Sequence, residues 1–195
     1  MRGVTDEQQR AWARAFQVSG DRAAFAALAG PHLDALYTVA IRMLGNAAEA
    51  DDIAQDALVR ALEQHHRYDA QRPFRPWLLT IAANLCRDRA RGGWWRGLAT
   101  RWLSPTPTAT TDPVEAAEQD ALVRRALAAL PTRYREALSL FHLDEMSYAE
   151  MSEITGVSVS ALKQRVHRGN TMLEAEVLRL CPGGALVRTV GQGSR

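Results

Sequence analysis

"LPTRYREALSLFHLDEMSYAEMSEITGVSVSALKQRVHRGNTML", residues 130–173, holds the most specific pattern in the chain. Ser147-Tyr148-Ala149-Glu150 has the form of a capping box, in which a serine hydroxyl and a glutamate three residues on satisfy the free amides that open a helix. Gly156 supplies a tight turn, Ser158 can cap a second helix, and Val159, Leu162 and Val166 give that helix one apolar side. Two helices joined in this way make a helix-turn-helix. With the apolar stripe turned inward, Ser160, Lys163, Gln164, His167 and Arg168 stand on the other faces. Such side chains suit base edges and phosphates in the major groove of DNA. The same face also reads as a solvated basic surface on an ordinary three-helix bundle.

Upstream, nearly every segment has helical periodicity. Thr5 to Gln8 and Asn46 to Glu49 resemble capping boxes, Asp112-Pro113-Val114-Glu115 puts proline at a first helical position, and Gly30-Pro31 and Gly45 read as helix stops. No run of alternating β-branched residues supports a sheet, so the fold class is all-α. From Gly92 to Thr111, "GGWWRGLATRWLSPTPTATT" loses periodicity and is rich in Gly, Pro and Thr, the composition of a flexible linker. The expected organisation is two small helical domains, 1–91 and 113–180, a linker at 92–112 that contains Trp94, Trp95 and Trp102, and a mobile tail at 181–195.

The composition, 47% hydrophobic and 24% charged, is that of a folded soluble protein. Cys86 and Cys181 lie far apart with no metal-ligand spacing, which suggests neither a disulfide framework nor a zinc site and fits a reducing compartment. His167 has no second ligand at helical spacing, and His65 and His66 are adjacent rather than on one helical face. There is no signal-peptide pattern and no run near the roughly 18 apolar residues of a membrane span, so a cytoplasmic protein without membrane insertion is expected. No Gly-rich phosphate loop or nucleophile motif points to catalysis, a cofactor or a small-molecule substrate.

The net charge of +2 conceals two opposite fields. Seven arginines against the single carboxylate of Asp88 fall between Arg72 and Leu103, whereas Gly45 to Asp69 carries six carboxylates against Arg60 and Arg67. Segregated charge of this kind points to one anionic and one cationic partner. In "NAAEADDIAQDALVRALEQHHRYD", Ala50, Ile53, Ala54, Ala57, Leu58 and Ala61 form an apolar stripe, leaving Asp52, Gln55, Asp56 and Val59 on an outward face. That face is either solvated or a docking surface for a basic helix. In "RPFRPWLLTIAANLCRDRAR", residues 72–91, Pro73 and Pro76 precede a helix expected to begin near Trp77, with Trp77, Leu78 and Ile81 toward the core. Tyr68, Phe74, Asn84 and the arginines would remain available to stack bases and pair phosphates of a single strand, and Tyr68 and Asn84 could edge a pocket for a flipped base. Phe74 reads equally well as a core residue.

In order and spacing, "LGNAAEADDIAQDAL", "YDAQRPFRPWLLTIAANLCRDRAR" and the helix-turn-helix segment resemble the bacterial extracytoplasmic-function sigma factors, over most of residues 21–175. The resemblance implies a non-catalytic initiation subunit of RNA polymerase with a sigma-2 helical bundle and a sigma-4 helix-turn-helix domain. It implies that Asp52, Gln55 and Asp56 dock on the clamp helices of the largest polymerase subunit, and that the flap region of the second-largest subunit is a further contact. Tyr68, Arg72, Phe74, Arg75, Asn84 and Arg87 would capture the melted minus-ten element. Ser160, Lys163, Gln164, His167 and Arg168 would read the minus-thirty-five element, and an anti-sigma factor would be a partner. Ser160-Ala161 replaces a usual Gly-Thr pair, Gln164 a small residue, Phe141 a frequent basic residue and Ser152 a common alanine. Promoter sequence therefore does not transfer. Two other readings stand beside it: a helix-turn-helix regulator acting on duplex DNA without polymerase, and a membrane-surface protein using "WWRGLATRWL".

Overall fold

Short polar caps open several of the helices in the computed structural model, which describes residues 5–97, 114–143 and 146–181. Thr5 accepts from the Gln8 amide to open α1 (Asp6–Ser19), and Asp21 accepts from Ala24 at 2.6 Å to open α2 (Arg22–Ala29). Asn46 accepts from Glu49 at 3.1 Å to open α4 (Ala47–Glu63), which follows α3 (Leu33–Leu44) across the expected stop at Gly45. The other expected stop is weaker: Gly30 stays right-handed, and Gly30–His32 forms a 3-10 turn that feeds directly into α3. Residues 22–44 are long and apolar enough on average to cross a membrane, but the turn breaks them into two helices whose Leu28, Leu36, Val39 and Met43 lie in the core.

α5 (Phe74–Gly97) begins before Trp77. Pro76 is tolerated because it falls in the first turn, where a missing N–H costs no intrahelical bond. The helix also runs past Gly92, through the first six residues of the expected linker. The rest of that linker, the Asp112-Pro113 start, the side chains of Trp94, Trp95 and Trp102, and the tail 182–195 lie outside the described residues.

The second half comprises α6 (Val114–Ala129), α7 (Thr132–Phe141), α8 (Tyr148–Thr155) and α9 (Val159–Leu180). The capping box at α8 is complete: the Glu150 amide donates to Ser147 Oγ at 3.2 Å, and the Ser147 amide donates to Glu150 Oε2 at 2.9 Å. Gly156 takes φ +69°, the left-handed value that a turn between α8 and α9 requires and a Cβ would oppose. Leu162, Val166, Leu173 and Val177 carry the buried stripe of α9. Val159 does not join it, at 38% exposed.

All described helices join one apolar core, and the two halves pack against each other directly: α3 meets α6 and α7, and α5 meets α7 and α8. Arg135 ties them, donating from Nη1 to the Met43 carbonyl at 2.7 Å and from Nη2 to the Ala128 and Leu130 carbonyls. These carbonyls end α3 and α6, where helical partners run out and the dipole favours a cation. Arg87 of α5 stands 3.0 Å from Glu136 of α7, off the N–H axis, as an ion pair rather than an aligned hydrogen bond. The sequence gives Arg87 to nucleic acid; in this arrangement the other half of the chain holds it. Beside this pair Cys86 is buried, and that burial, reinforced by the Glu136 charge against the weaker pull of Arg87 and Arg89, pushes its thiol up to about 12. Thiolate is the reactive form. A colorimetric thiol titration is therefore expected to count one accessible thiol, Cys181, in the native protein and a second only on denaturation; two fast thiols would contradict the packing.

Candidate nucleic-acid interface

Three surfaces gather the candidate residues. The first is the outer face of α4, where Asp52, Gln55 and Asp56 are exposed together with Val59, 55% exposed, while Ala50, Ile53, Ala57 and Ala61 are buried on the opposite side. The periodicity predicts this division, and the structure reproduces it.

The second surrounds the loop between α4 and α5. Tyr68 and Phe74 are not available as platforms: they are 2% and 5% exposed. Phe16 of α1 sits among them, with ring centroids at 5.9 Å from Tyr68, 5.7 Å from Phe74, 6.0 Å from Trp77 and 5.2 Å from Phe25. The Phe25 ring is stacked on Phe16 and the others meet it edge-on or tilted, geometries that add to the area term. The Tyr68 hydroxyl donates to the Arg72 carbonyl at 2.8 Å, closing the loop on itself. Burial, aided by the charge of Asp69, pushes that phenol up to about 12, so it remains a donor. His65 Nδ1 lies 3.0 Å from the Gln17 carbonyl, an acceptor only, so this nitrogen carries the proton and pins the loop to α1.

Above the aromatic cluster a cavity of about 730 Å³ lies between α1, this loop and α8. Tyr68, Arg72, Phe74 and Arg75 line it, joined by Arg10, Arg14 and His32. Burial, together with the positive charge of Arg75, lowers the His32 pKa, which keeps that ring neutral. Four arginines against the carboxylates of Asp6 and Glu150 give the cavity lining an excess of positive charge above an aromatic floor. Arg72 faces Asp69 at 3.8 Å with both side chains largely in water, an ion pair too weak to withhold the guanidinium from a phosphate. Asn84 is exposed on α5 but does not line the cavity, so the structure does not bring it together with Tyr68. Arg10 and Arg14 were missed in the sequence, although their i, i+4 spacing puts them on one face of α1.

The third surface is the start of α9. Ser160, Lys163, Gln164, His167 and Arg168 are all exposed and fall on one side of the helix-turn-helix. Lys163 Nζ stands 5.7 Å from the Tyr148 ring, and Arg133 donates to the Tyr134 hydroxyl at 3.2 Å, an oxygen that Arg168 also reaches. Arg168 is thus partly oriented before any ligand arrives. Among the described residues, no group of His, Cys, Asp and Glu is placed to hold a metal.

Residues 28–96 match the model of Sigma-70 region 2, and residues 120–172 match that of Sigma-70, region 4. The extracytoplasmic-function RNA polymerase sigma factor SigW of Bacillus subtilis is 33% identical over 170 residues, 81% of this chain and 91% of that protein. The corresponding SigL of Mycobacterium tuberculosis is 35% identical over 159 residues, 77% of this chain and 89% of its own. The chain belongs to the extracytoplasmic-function group of sigma-70 family sigma factors. Among solved structures, CnrH in complex with the cytosolic domain of CnrY superposes with a TM-score of 0.66 at 31% identity, covering 86% of this sigma factor and 95% of CnrH. The region 2 match embraces α3, α4 and α5, which a duplex-only regulator would not need; it begins after α1, so Arg10 and Arg14 reach the cavity from outside it.

Proposed function

We propose that this sigma factor directs RNA polymerase to promoters through the three surfaces just described, without catalytic residues or a cofactor of its own. The exposed acids of α4 dock on the clamp helices of the largest core subunit, and the second domain meets the flap region of the second-largest. The face of α9 around Lys163 and Arg168 reads the minus-thirty-five duplex. Arg72, Arg75 and the cationic cavity, with Asn84 along α5, follow the unpaired minus-ten strand. Tyr68 and Phe74 act from beneath, by shaping the cavity floor. Stacking and phosphate contacts on an unpaired base offset the few kcal/mol that unpairing costs. The strand is trapped open and no bond is made or broken.

The observation that carries this reading is the coincidence of the region 2 match with the acidic face and cationic cavity, and of the region 4 match with the exposed basic face of α9. Its site of action is then the cytoplasm, where polymerase works. The binding of CnrH by a cytosolic domain supports a regulatory protein partner of the anti-sigma kind. The test is transcription by purified core polymerase on genomic promoter fragments, with start sites mapped. Sigma-dependent starts are expected; their absence on every fragment would return the chain to a duplex-only regulator.

Lys163→Ala is expected to weaken duplex binding and to lower the slope of log affinity against log salt by about one if the contact is to phosphate. Unchanged affinity at every salt concentration would remove Lys163 from the interface. Asn84→Ala is expected to leave core binding intact and to cut transcript yield about tenfold, the loss of roughly one base contact worth 1–3 kcal/mol. Equal yields would remove Asn84 from the strand path.

A further inference from the structure

Four guanidinium groups reach one cavity from two separate stretches of chain. Arg10 and Arg14 come from α1, one turn apart, and Arg72 and Arg75 from the loop after α4 and the first turn of α5. Among the described residues no carboxylate pairs with Arg10 or Arg14, and Arg72 meets Asp69 only at 3.8 Å with both largely in water. Of the two carboxylates on the lining, Glu150 is already engaged: its Oε2 accepts from the Ser147 hydroxyl at 2.8 Å and from the Ser147 amide at 2.9 Å. Like charges gathered without counterions repel one another, and a bound anion relieves that cost. The cavity is also bounded: α1, the loop and α8 border about 730 Å³, within the roughly 300–1,000 Å³ of small-molecule sites. The rings of Tyr68 and Phe74 beneath it are almost wholly covered, so what the cavity offers a ligand is chiefly charge.

We propose that this cavity is a binding site for a small polyphosphate anion, the phosphate chain of a nucleotide or a free inorganic polyphosphate, held by Arg10, Arg14, Arg72 and Arg75. A guanidinium presents a planar fork of donors that matches phosphate oxygens two at a time, and it stays charged at every physiological pH. A strand spaces its phosphates one per nucleotide along a path that must enter and leave, whereas a bordered cavity turns four forks on one compact anion. Three linked phosphates can meet several of those forks together; a single orthophosphate meets fewer. Arg10 and Arg14 lie before the region 2 match, so half of the site comes from outside it. Arg72 and Arg75 are also the cations given above to the unpaired strand, so an occupied cavity competes with that strand. The competition rests on the strand-binding reading, and the polyphosphate site does not.

Isothermal titration calorimetry of the full chain with sodium tripolyphosphate, magnesium-free ATP and orthophosphate tests this at about 0.15 M salt, where scattered surface charges are well screened. Saturable one-to-one binding of tripolyphosphate is expected, with orthophosphate about tenfold weaker or more for want of charge-assisted contacts. ATP is expected to match tripolyphosphate; tighter binding of ATP also supports the site and makes a nucleotide its occupant. Arg10→Gln with Arg14→Gln is expected to weaken tripolyphosphate about tenfold or more, and since both side chains are exposed, urea unfolding should hardly move. Arg14→Lys keeps the charge without the fork and is expected to fall between, which decides the matter should the double variant not fold. Arg22→Gln, exposed on α2 and outside the lining, is expected to bind as wild type does. No binding of tripolyphosphate, or binding that the Arg10 and Arg14 replacements leave unchanged, overturns the proposal. Displacement of a fluorescein-labelled single-stranded oligonucleotide by tripolyphosphate supports the site and the strand-binding reading together. A strand that stays bound beside tripolyphosphate leaves the site standing and moves the strand off the cavity, and a strand that binds where tripolyphosphate does not overturns the proposal alone.

Discussion

Asp52→Arg combined with Asp56→Arg is expected to lower affinity for core polymerase by about a hundredfold or more, since each like-charge juxtaposition at an interface costs several kcal/mol and each 1.4 kcal/mol is a factor of ten. Both carboxylates are exposed on the outer face of α4, away from the buried stripe of Ala50, Ile53, Ala57 and Ala61. Their replacement should therefore move folding stability by no more than about 0.5 kcal/mol. The two readouts separate docking from folding. Pull-down of core polymerase measures the first and urea unfolding the second. Full retention of core by the double variant would remove the α4 face from the interface.

Phe16→Ala is expected to have the largest effect on the fold, destabilising it by about 3–5 kcal/mol. The side chain is fully buried and touches Phe25, Tyr68, Phe74, Trp77 and His65 from the helix that roofs the cluster. Removing it leaves a void beneath the loop that carries Arg72 and Arg75. Against a total stability of about 5–15 kcal/mol, that loss is a large fraction. Phe16→Leu refills much of the space and should cost far less. A midpoint shift for the alanine variant no larger than that of an exposed substitution would mean that the cluster is not the keystone of the first domain.

The helix-turn-helix and the face of α4 were legible because both are local. A capping box spans four residues, a glycine turn one, and an apolar stripe repeats within a single helix, so neighbours in sequence settle them. The fate of Tyr68 and Phe74 was not legible. An aromatic beside arginine and proline has the same composition whether it stacks on a base or packs on a ring. What decides it is Phe16, brought by α1 from far upstream. Arg87 illustrates the same limit, since its partner Glu136 lies in the other half of the chain and looks in sequence like any acid on a helix. The early start of α5 could have been read, because proline in a first turn is compatible with helix and Pro76 falls there. The continuation of α5 past Gly92 overrides a local preference of about 1 kcal/mol per glycine.

The most direct measurement is permanganate reactivity of thymines in promoter DNA, compared with core polymerase alone, the sigma factor alone and both together. Two modules gripping one promoter, a duplex above and an unpaired strand below, predict reactive thymines in the minus-ten region only when both proteins are present. Opening by core alone to the same extent, or no opening at any promoter that the complex binds, would contradict the account.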